Sequence, residues 1–349
     1  MDNRVDSVGH ETYCPASAPI RPGDRGWRGV RGNPTTNRTS RGRPGPRRLR
    51  RTTTPGAEPG WPPGTDRQEE CLDRPRDPLP THVESCPALP AAYDDALDQA
   101  LLGLGIDLDD GSRATIGRHV RLLLAWNAAI NLTAIREPAA IAVRHVADSL
   151  TALGELRRRG IDRFIDLGSG GGFPGIPLAA ALPADRALLI DSVGKKVRFL
   201  ATVVDAVGLG AHVAAEAARS ESLATEPHDR GRWPAVTARA VAPLGELVEL
   251  ALPLLRPGGV LVAWKRDGDP ERRGLDVELA AGRRAAEAID PEARLAIVPA
   301  VPAERARAAA SMPALTDLRD HRLVFVERGS RDIDPVWPRD PATRRRQPW

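Results

Sequence analysis

The sequence predicts an α/β fold built on a mostly parallel, seven-stranded sheet, and three observations carry that prediction. Short apolar runs, "RFIDL" (163–167), "RALLIDS" (186–192), "AHVAA" (211–215), "PAVTARA" (234–240) and "GVLVAWK" (259–265), alternate with segments of helical periodicity. Alternation of that kind marks strands covered on both faces by crossover helices. A glycine-rich turn, "GSGGGFPG" (168–175), follows the first run directly and opens a helix, an arrangement in which backbone N–H groups and a helix start face a ligand. Two last runs, "ARLAIVPA" (293–300) and "HRLVFVER" (321–328), have no clear helix between them, which predicts an antiparallel pair at the sheet edge.

Residues 1–90 hold 15 of the 33 prolines and clusters such as "RGRPGPRRLRR", with almost no apolar periodicity; such a segment is expected to be disordered. Its 15 arginines against 11 acidic residues account for the whole net charge of +4, so the remainder is formally neutral and lacks the basic balance of a nucleic-acid-binding domain. The segment reads as a solvated extension or an over-long start, or as an arm that clings to RNA. Asp2, Asp6 and Glu11 argue against a transit peptide, and Arg47–Arg51 is followed by the polar "TTTPGAEPG" rather than an export signal. Cys14, Cys71 and Cys86 all lie in this extension, which excludes a disulfide scaffold or a zinc–cysteine site in the core. His119, His145, His212, His228 and His321 show no ligand spacing, so no metal is expected. No apolar run approaches the ~18 residues of a membrane span, and a soluble, cytoplasmic, monomeric protein is the default.

The folded domain is predicted over 91–330, with a helical part at 91–160 and a basic tail at 331–349. Apolar residues recur at helical spacing through "AYDDALDQALLGLG" (92–105) and "SRATIGRHVRLLLAWNAAINL" (112–132), the latter with Ser112 as candidate N-cap. Pro138 suits the first turn of a third helix, 138–159, which Gly160 ends. Within the sheet region helices are predicted at 175–182, 194–207, 243–255 and 271–288, with "RPGG" (256–259) as a turn.

The turn itself admits several ligands. Gly170, Gly172 and Gly175 satisfy the dinucleotide pattern G-x-G-x-x-G, but Gly168 already stands at the strand end, and Pro174 and Pro177 crowd the helix start. A Walker loop is absent, since the Gly194–Lys195 pair lacks both the upstream glycine and the hydroxyl residue. Asp166, two residues before the first glycine, is expected to point at a ligand ammonium and would repel a pyrophosphate. Asp191, at the second strand's end, is placed to accept both ribose hydroxyls, a role common to several adenosine cofactors. Strand-end capping is the other reading of both. The pattern D-x-G-x-G-x-G resembles the cofactor loop of class I S-adenosylmethionine-dependent methyltransferases, whose Rossmann-like fold has N-terminal helices before the sheet.

Five ordered blocks from about Ala91 onward, "WNAAINLTAIREPAAIAVRHVADSL", "FIDLGSGGGFPGIPLA", "LLIDSVGKKVRFL", "TARAVAPLGELVELALPLLRPGGVLVAWK" and "HRLVFVER", resemble the small-subunit ribosomal RNA guanine-N7 methyltransferases, also called glucose-inhibited division protein B. The resemblance implies cofactor contacts at Gly168, Gly170, Phe173 and Asp191, with Ser220 and Glu221 beside the adenine. It implies that Arg239 faces the methyl-transfer region, and that Asn131, Leu132, Thr133, Arg144, His145, Asp148 and Ser149 line the RNA side. The C-terminal "PRDPATRRRQPW" departs from the family's usual basic, proline-spaced ending, and the N-terminal extension has no counterpart there.

The residues also narrow the acceptor. Methylation at pyrimidine C5 needs a thiolate, and no cysteine follows residue 86; the [ND]-P-P-[FY] signature of exocyclic-amine methylation is replaced by "ARAVAP". Guanine N7 offers a free lone pair, so alignment alone suffices. Arg239 and Arg144 are candidates to bond guanine edges or phosphate, His145 is the one candidate for proton handling, and Asn131 either touches RNA or braces a helix junction. Lys195, Lys196, Arg198, Arg157–Arg159 and Arg344–Arg346, with Arg345 central, are candidate phosphate partners, although the arginines before Gly160 equally suit a helix C-terminus. The expectation is thus transfer of a methyl group from S-adenosylmethionine to N7 of one guanine in 16S rRNA, on the 30S subunit or its assembly intermediate. The alternatives are a nicotinamide-dependent oxidoreductase and a non-catalytic RNA-binding ribosome assembly protein.

Overall fold

The computed structural model describes residues 79–267, 274–305 and 312–349. Residues 1–78, with Cys14 and Cys71, lie outside the described residues, and so does most of the extension predicted to be disordered. Its last part does not: Val83 and Cys86 are buried in the core, Trp126 Nε1 donates to Pro80 O at 2.7 Å, and Arg121 donates to Pro87 O at 2.9 Å. Among the described residues the chain is thus packed from Leu79 onward, ahead of the predicted start at 91. A prolyl-rich, aperiodic stretch gave no sign of packing because single side chains, not a helical face, are what it buries.

Helix α1 (Ala91–Leu104) ends at Gly105 in the left-handed region, φ 70°. Helix α2 (Asp110–Ile130) buries Ile116, His119, Val120, Leu123, Trp126 and Asn127, a stripe at three- and four-residue spacing. Its N-cap is Asp109, which accepts from Ser112 N at 2.9 Å, rather than Ser112 itself. Ser112 instead donates its hydroxyl to Ala180 O at 2.7 Å, tying α2 to the sheet region. The predicted helix 138–159 is two helices. A first rod, α3 (138–150), starts at Pro138, passes through a π-helical stretch at Ala142–Ala147 and ends at Leu150; after a turn, α4 covers Leu153–Arg158.

The sheet follows: β1 (Arg163–Leu167), α5 (Gly175–Ala181), β2 (Arg186–Asp191), α6 (Gly194–Val207), β3 (Val213–Ala217), α7 (Ser220–Leu223), β4 (Trp233–Arg239), α8 (Leu244–Ala251), β5 (Leu255–Arg266), α9 (Leu275–Ile289), β6 (Arg294–Pro299), α10 (Pro313–Thr316), β7 (His321–Glu327) and α11 (Pro341–Arg346). The "RPGG" stretch lies within β5 rather than in a separate turn. Strand order is β3-β2-β1-β4-β5-β7-β6. Strands β1 to β5 pair in parallel, and β7 runs antiparallel to both β5 and β6, so the antiparallel edge predicted from the last two runs is present.

Period-two alternation splits β1 between two cores. Phe164 belongs to the cluster under α2, α5 and α6, while Ile165 and Leu167 belong to the cluster under α8 and α9. After β3 the chain returns to lay β4 on the other side of β1, so the topology reverses between β1 and β4, where an open α/β sheet leaves a crevice. Leu167 pairs with Ala238, which sets Gly168 and Arg239 side by side at its mouth. No described helix is long and apolar enough to cross a membrane.

Candidate functional site

At the carboxyl ends of β1 and β4 lies a cleft of about 420 Å³, lined by Gly168–Gly171, Phe173, Thr133, His145 and Arg239 among others. Gly168 sits at φ 63°, and a Cβ there would approach Val241 Cγ2 to 2.8 Å, so neither the conformation nor the space suits a side chain. The loop is pinned from three directions. Ser169 N donates to Ile190 O at 2.9 Å, Gly170 N donates to Asp191 Oδ2 at 3.1 Å, and His119 Nε2 donates to Gly171 O at 2.8 Å from the buried face of α2. Bare backbone is thereby held open toward the cleft.

Asp166 does not point at the cleft, contrary to the sequence expectation. It shares the Phe164 face of β1, is fully buried, and turns its carboxylate beneath the glycine turn. There Oδ2 accepts from Gly175 N at 3.2 Å and Oδ1 accepts from the Thr237 hydroxyl at 2.7 Å. Burial pushes its carboxyl up to about 6 despite these bonds. Its role is to brace the start of α5, and strand alternation decides that direction.

The cleft wall opposite the turn is a chain of hydrogen bonds. Asp148, 2% exposed, accepts from Arg239 Nη1 at 3.0 Å and from His321 Nδ1 at 2.7 Å, while its backbone oxygen accepts from Trp264 Nε1 at 2.8 Å. Arg239 Nη2 meets His145 Nδ1 at 3.1 Å, and His145 Nε2 meets Thr133 Oγ1 at 2.7 Å. The imidazole stacks on Phe173 with ring centroids 4.8 Å apart, and the guanidinium carbon of Arg239 lies 5.4 Å from the same ring's centre. Burial, followed by the Arg239 charge, pushes His145 down to about 3. The ring is therefore neutral near pH 7 with both nitrogens engaged.

The other predicted residues divide. Lys196 and Arg144 line the cleft; Lys196 Nζ stands 3.8 Å from Asp191 Oδ2, and Arg144 is held by Asp317 through bonds of 2.7 and 3.1 Å. Asp191 lies behind the loop tip, accepting from Gly170 N and from Val193 N at 2.8 Å. Glu221 is turned away from the cleft: it accepts from Arg344 of α11, which also reaches Glu246 at 3.3 Å. Ser220 is buried beside it at the start of α7. Lys195 and Arg345 are exposed and do not line the cleft. Asn131 is an exposed left-handed C-cap of α2; the brace of that junction is Asn127, whose Oδ1 accepts from Leu132 N at 2.7 Å and Thr133 N at 2.9 Å, while its Nδ2 donates to Thr133 O at 2.9 Å.

Sequence reasoning missed His119, Asn127, Thr237, Arg266 and the pairing partners His321 and Asp317. His119 and Asn127 carried a signal, since both fall on the apolar stripe of α2; the others meet the site through strands or loops remote in sequence. Cys86, placed in the extension by sequence, is buried in the core near Val83 and donates weakly to His82 O at 3.8 Å. Among the described residues no group of His, Cys, Asp and Glu could hold a metal.

A family profile described as "GidB: rRNA small subunit methyltransferase G" matches residues 113–277. A "Ribosomal RNA small subunit methyltransferase G" of Deinococcus deserti is 40% identical over 227 residues, 65% of this chain and 84% of its own length. A protein of the same name from Rubrobacter xylanophilus is 39% identical over 227 residues, 65% of this chain and 80% of its own. A third, from Stenotrophomonas maltophilia, is 42% identical over 177 residues, 51% of this chain and 79% of its own.

Proposed function

The chain belongs to the rRNA small subunit methyltransferase G family, and on that premise we propose that it transfers a methyl group from S-adenosylmethionine to N7 of one guanine in 16S rRNA. Its fold is that of class I methyltransferases. The substrate is the 30S subunit or its assembly intermediate, met in the cytoplasm by a single copy of the chain. Neither a nicotinamide-dependent oxidoreductase nor a binding-only assembly protein finds support in the family assignment.

The cleft fits such a cofactor. Gly168–Gly171 offer bare backbone, Phe173 an aromatic wall, and Asp191 a carboxylate whose two oxygens have acceptor capacity beyond the two amide bonds they receive. Gly168, Gly170, Phe173 and Asp191 would hold the cofactor. When bound, S-adenosylmethionine supplies an electrophilic methyl group on a sulfonium.

One observation carries the choice of acceptor: among the described residues, the wall facing the turn has no free base, Asp317 being paired with Arg144. His145 is neutral with both nitrogens bonded, Asp148 is held by Arg239 and His321, and Asp166 is sealed under the turn. An attacking nitrogen that must lose a proton would find no acceptor for it, whereas guanine N7 attacks through an existing lone pair and loses none. The wall's work is alignment and exclusion of water. Arg239, anchored by Asp148, keeps the imidazole and Phe173 in place; Arg144, Lys196 and the exposed Lys195 and Arg345 would contact RNA phosphates.

The test is incubation of the purified chain with labelled S-adenosylmethionine and unmethylated 30S subunits, followed by N7-specific cleavage mapping. Label at a single guanine of 16S rRNA is expected; RNA without label refutes the assignment.

A further inference from the structure

We propose that the Thr133 hydroxyl donates a hydrogen bond to O6 of the target guanine and thereby selects guanine over adenine, a proposal that rests on the cleft being the methyl-transfer site.

A guanidinium has donors only, so in the 3.1 Å contact between Arg239 and His145 it is Nδ1 that accepts. A neutral imidazole that accepts through one nitrogen carries its proton on the other, so His145 Nε2 donates to Thr133 Oγ1 at 2.7 Å. The amide of Ile135 donates to the same oxygen at 3.0 Å. A hydroxyl has two acceptor lone pairs and one proton; in Thr133 both lone pairs are taken, and the proton is what remains.

Thr133 lines the cleft, so its remaining proton is available to a base bound there. A threonine hydroxyl ordinarily rotates to suit its partner, but here Asp148, Arg239 and His145 lock it as a donor. Its backbone is fixed as well, by two bonds to the buried Asn127, which also holds Leu132 N. On the edge that carries N7, guanine presents a second acceptor, O6, while adenine presents the N6 amino donor. A locked donor beside the reacting nitrogen matches the first and opposes the second. Arg239, His145 and Asn127 are, in this account, positioning residues for Thr133.

The experiment compares the full-length chain with Thr133→Val and Thr133→Ser on two substrates. These are 30S particles reconstituted around 16S rRNA with guanine at the target position, or with 2,6-diaminopurine, which keeps N7 but carries an amino group at position 6. The wild type is expected to prefer guanine by about tenfold to a hundredfold in kcat/KM, the scale of one hydrogen bond lost from a fitted site. Thr133→Val should lose a similar factor on guanine and most of that preference, Thr133→Ser should retain both, and calorimetric affinity for S-adenosylhomocysteine should stay within about twofold in all three. The proposal is overturned if Thr133→Val matches the wild type on guanine, if it keeps the wild-type preference, if Thr133→Ser fails as Thr133→Val does, or if S-adenosylhomocysteine affinity falls in parallel. A wild-type chain that labels neither particle overturns the methyltransferase assignment, and this proposal with it.

Discussion

His119, His145 and Asp166 surround the glycine turn, and burial moves each from its ordinary ionisation: His119 down to about 4, His145 down to about 3, Asp166 up to about 6. An unfolded histidine binds its proton near pH 6.5, so between the folded and unfolded values the unfolded chain holds more protons and stability falls as pH falls. Asp166 acts oppositely, since the folded carboxyl takes up its proton between about 6 and 3.8 and returns some stability over that interval. Two histidines outweigh one carboxyl. Thermal melts at pH 7, 6 and 5 should show Tm decreasing, and His119→Gln should flatten the profile by removing roughly 2 kcal/mol of linkage over that interval; a level wild-type profile would contradict the burial of these groups. Asp166→Ala leaves Gly175 N–H without its partner and leaves the Thr237 hydroxyl only its long contact to Ile165 O at 3.5 Å, at a cost of about 2 kcal/mol, or roughly 4–8 °C in Tm. Were Asp166 a direct ligand contact, S-adenosylhomocysteine affinity would fall at unchanged Tm, so melting and calorimetry together separate the two roles. The importance of Asp166 was legible from its place before the glycines. Its direction was not, because it depends on which face of β1 meets α5.

Among elements, the glycine turn between β1 and α5 has little tolerance. Gly168→Ala combines a left-handed φ with a Cβ against Val241; we expect about 1–2 kcal/mol of backbone strain and a loss of cofactor affinity larger than the loss of stability, measured by calorimetry beside a urea titration. Equal affinity in this variant would show that the turn does not contact the cofactor. Helix α3 illustrates a different limit of sequence reading. Its continuous apolar periodicity predicts one regular helix, yet the Ala142–Ala147 stretch winds with π geometry, as helices often do at functional sites. Arg144, His145 and Asp148 all reach the cleft from this stretch and its end. The residues this stretch meets there, Phe173 and Arg239, are not on α3.

Across the whole molecule the C-terminal segment closes over the sheet. Arg339 pairs with Glu249, which is fully buried in α8, at 2.7 Å, its guanidinium carbon lies 4.6 Å from the Trp349 ring centre, and Trp349 Nε1 donates to the same carboxylate at 2.7 Å. Arg339→Ala leaves that charge buried with only neutral donors, the backbone N–H of residue 339 and Trp349 Nε1; a loss of about 3–5 kcal/mol is expected in urea unfolding, and an unchanged midpoint would mean that the tail is not docked in solution. The basic tail predicted at 331–349 is therefore partly structural, with Arg344 engaged by Glu221 and Glu246 and Arg345 left exposed. The fold class, the run of strands and helices, the antiparallel edge and the glycine turn could all be read from residue order, because periodicity and turn chemistry act over a few neighbouring positions. The underside placement of Asp166, the fixed polarity of the chain from Asp148 to Thr133, the burial of Val83 and Cys86 and the engagement of Glu221 were decided by tertiary structure. Each depends on a partner from a distant segment, Thr237 being 71 residues from Asp166 and Arg344 being 123 from Glu221, and a side chain's direction is settled only when packing brings that partner into reach.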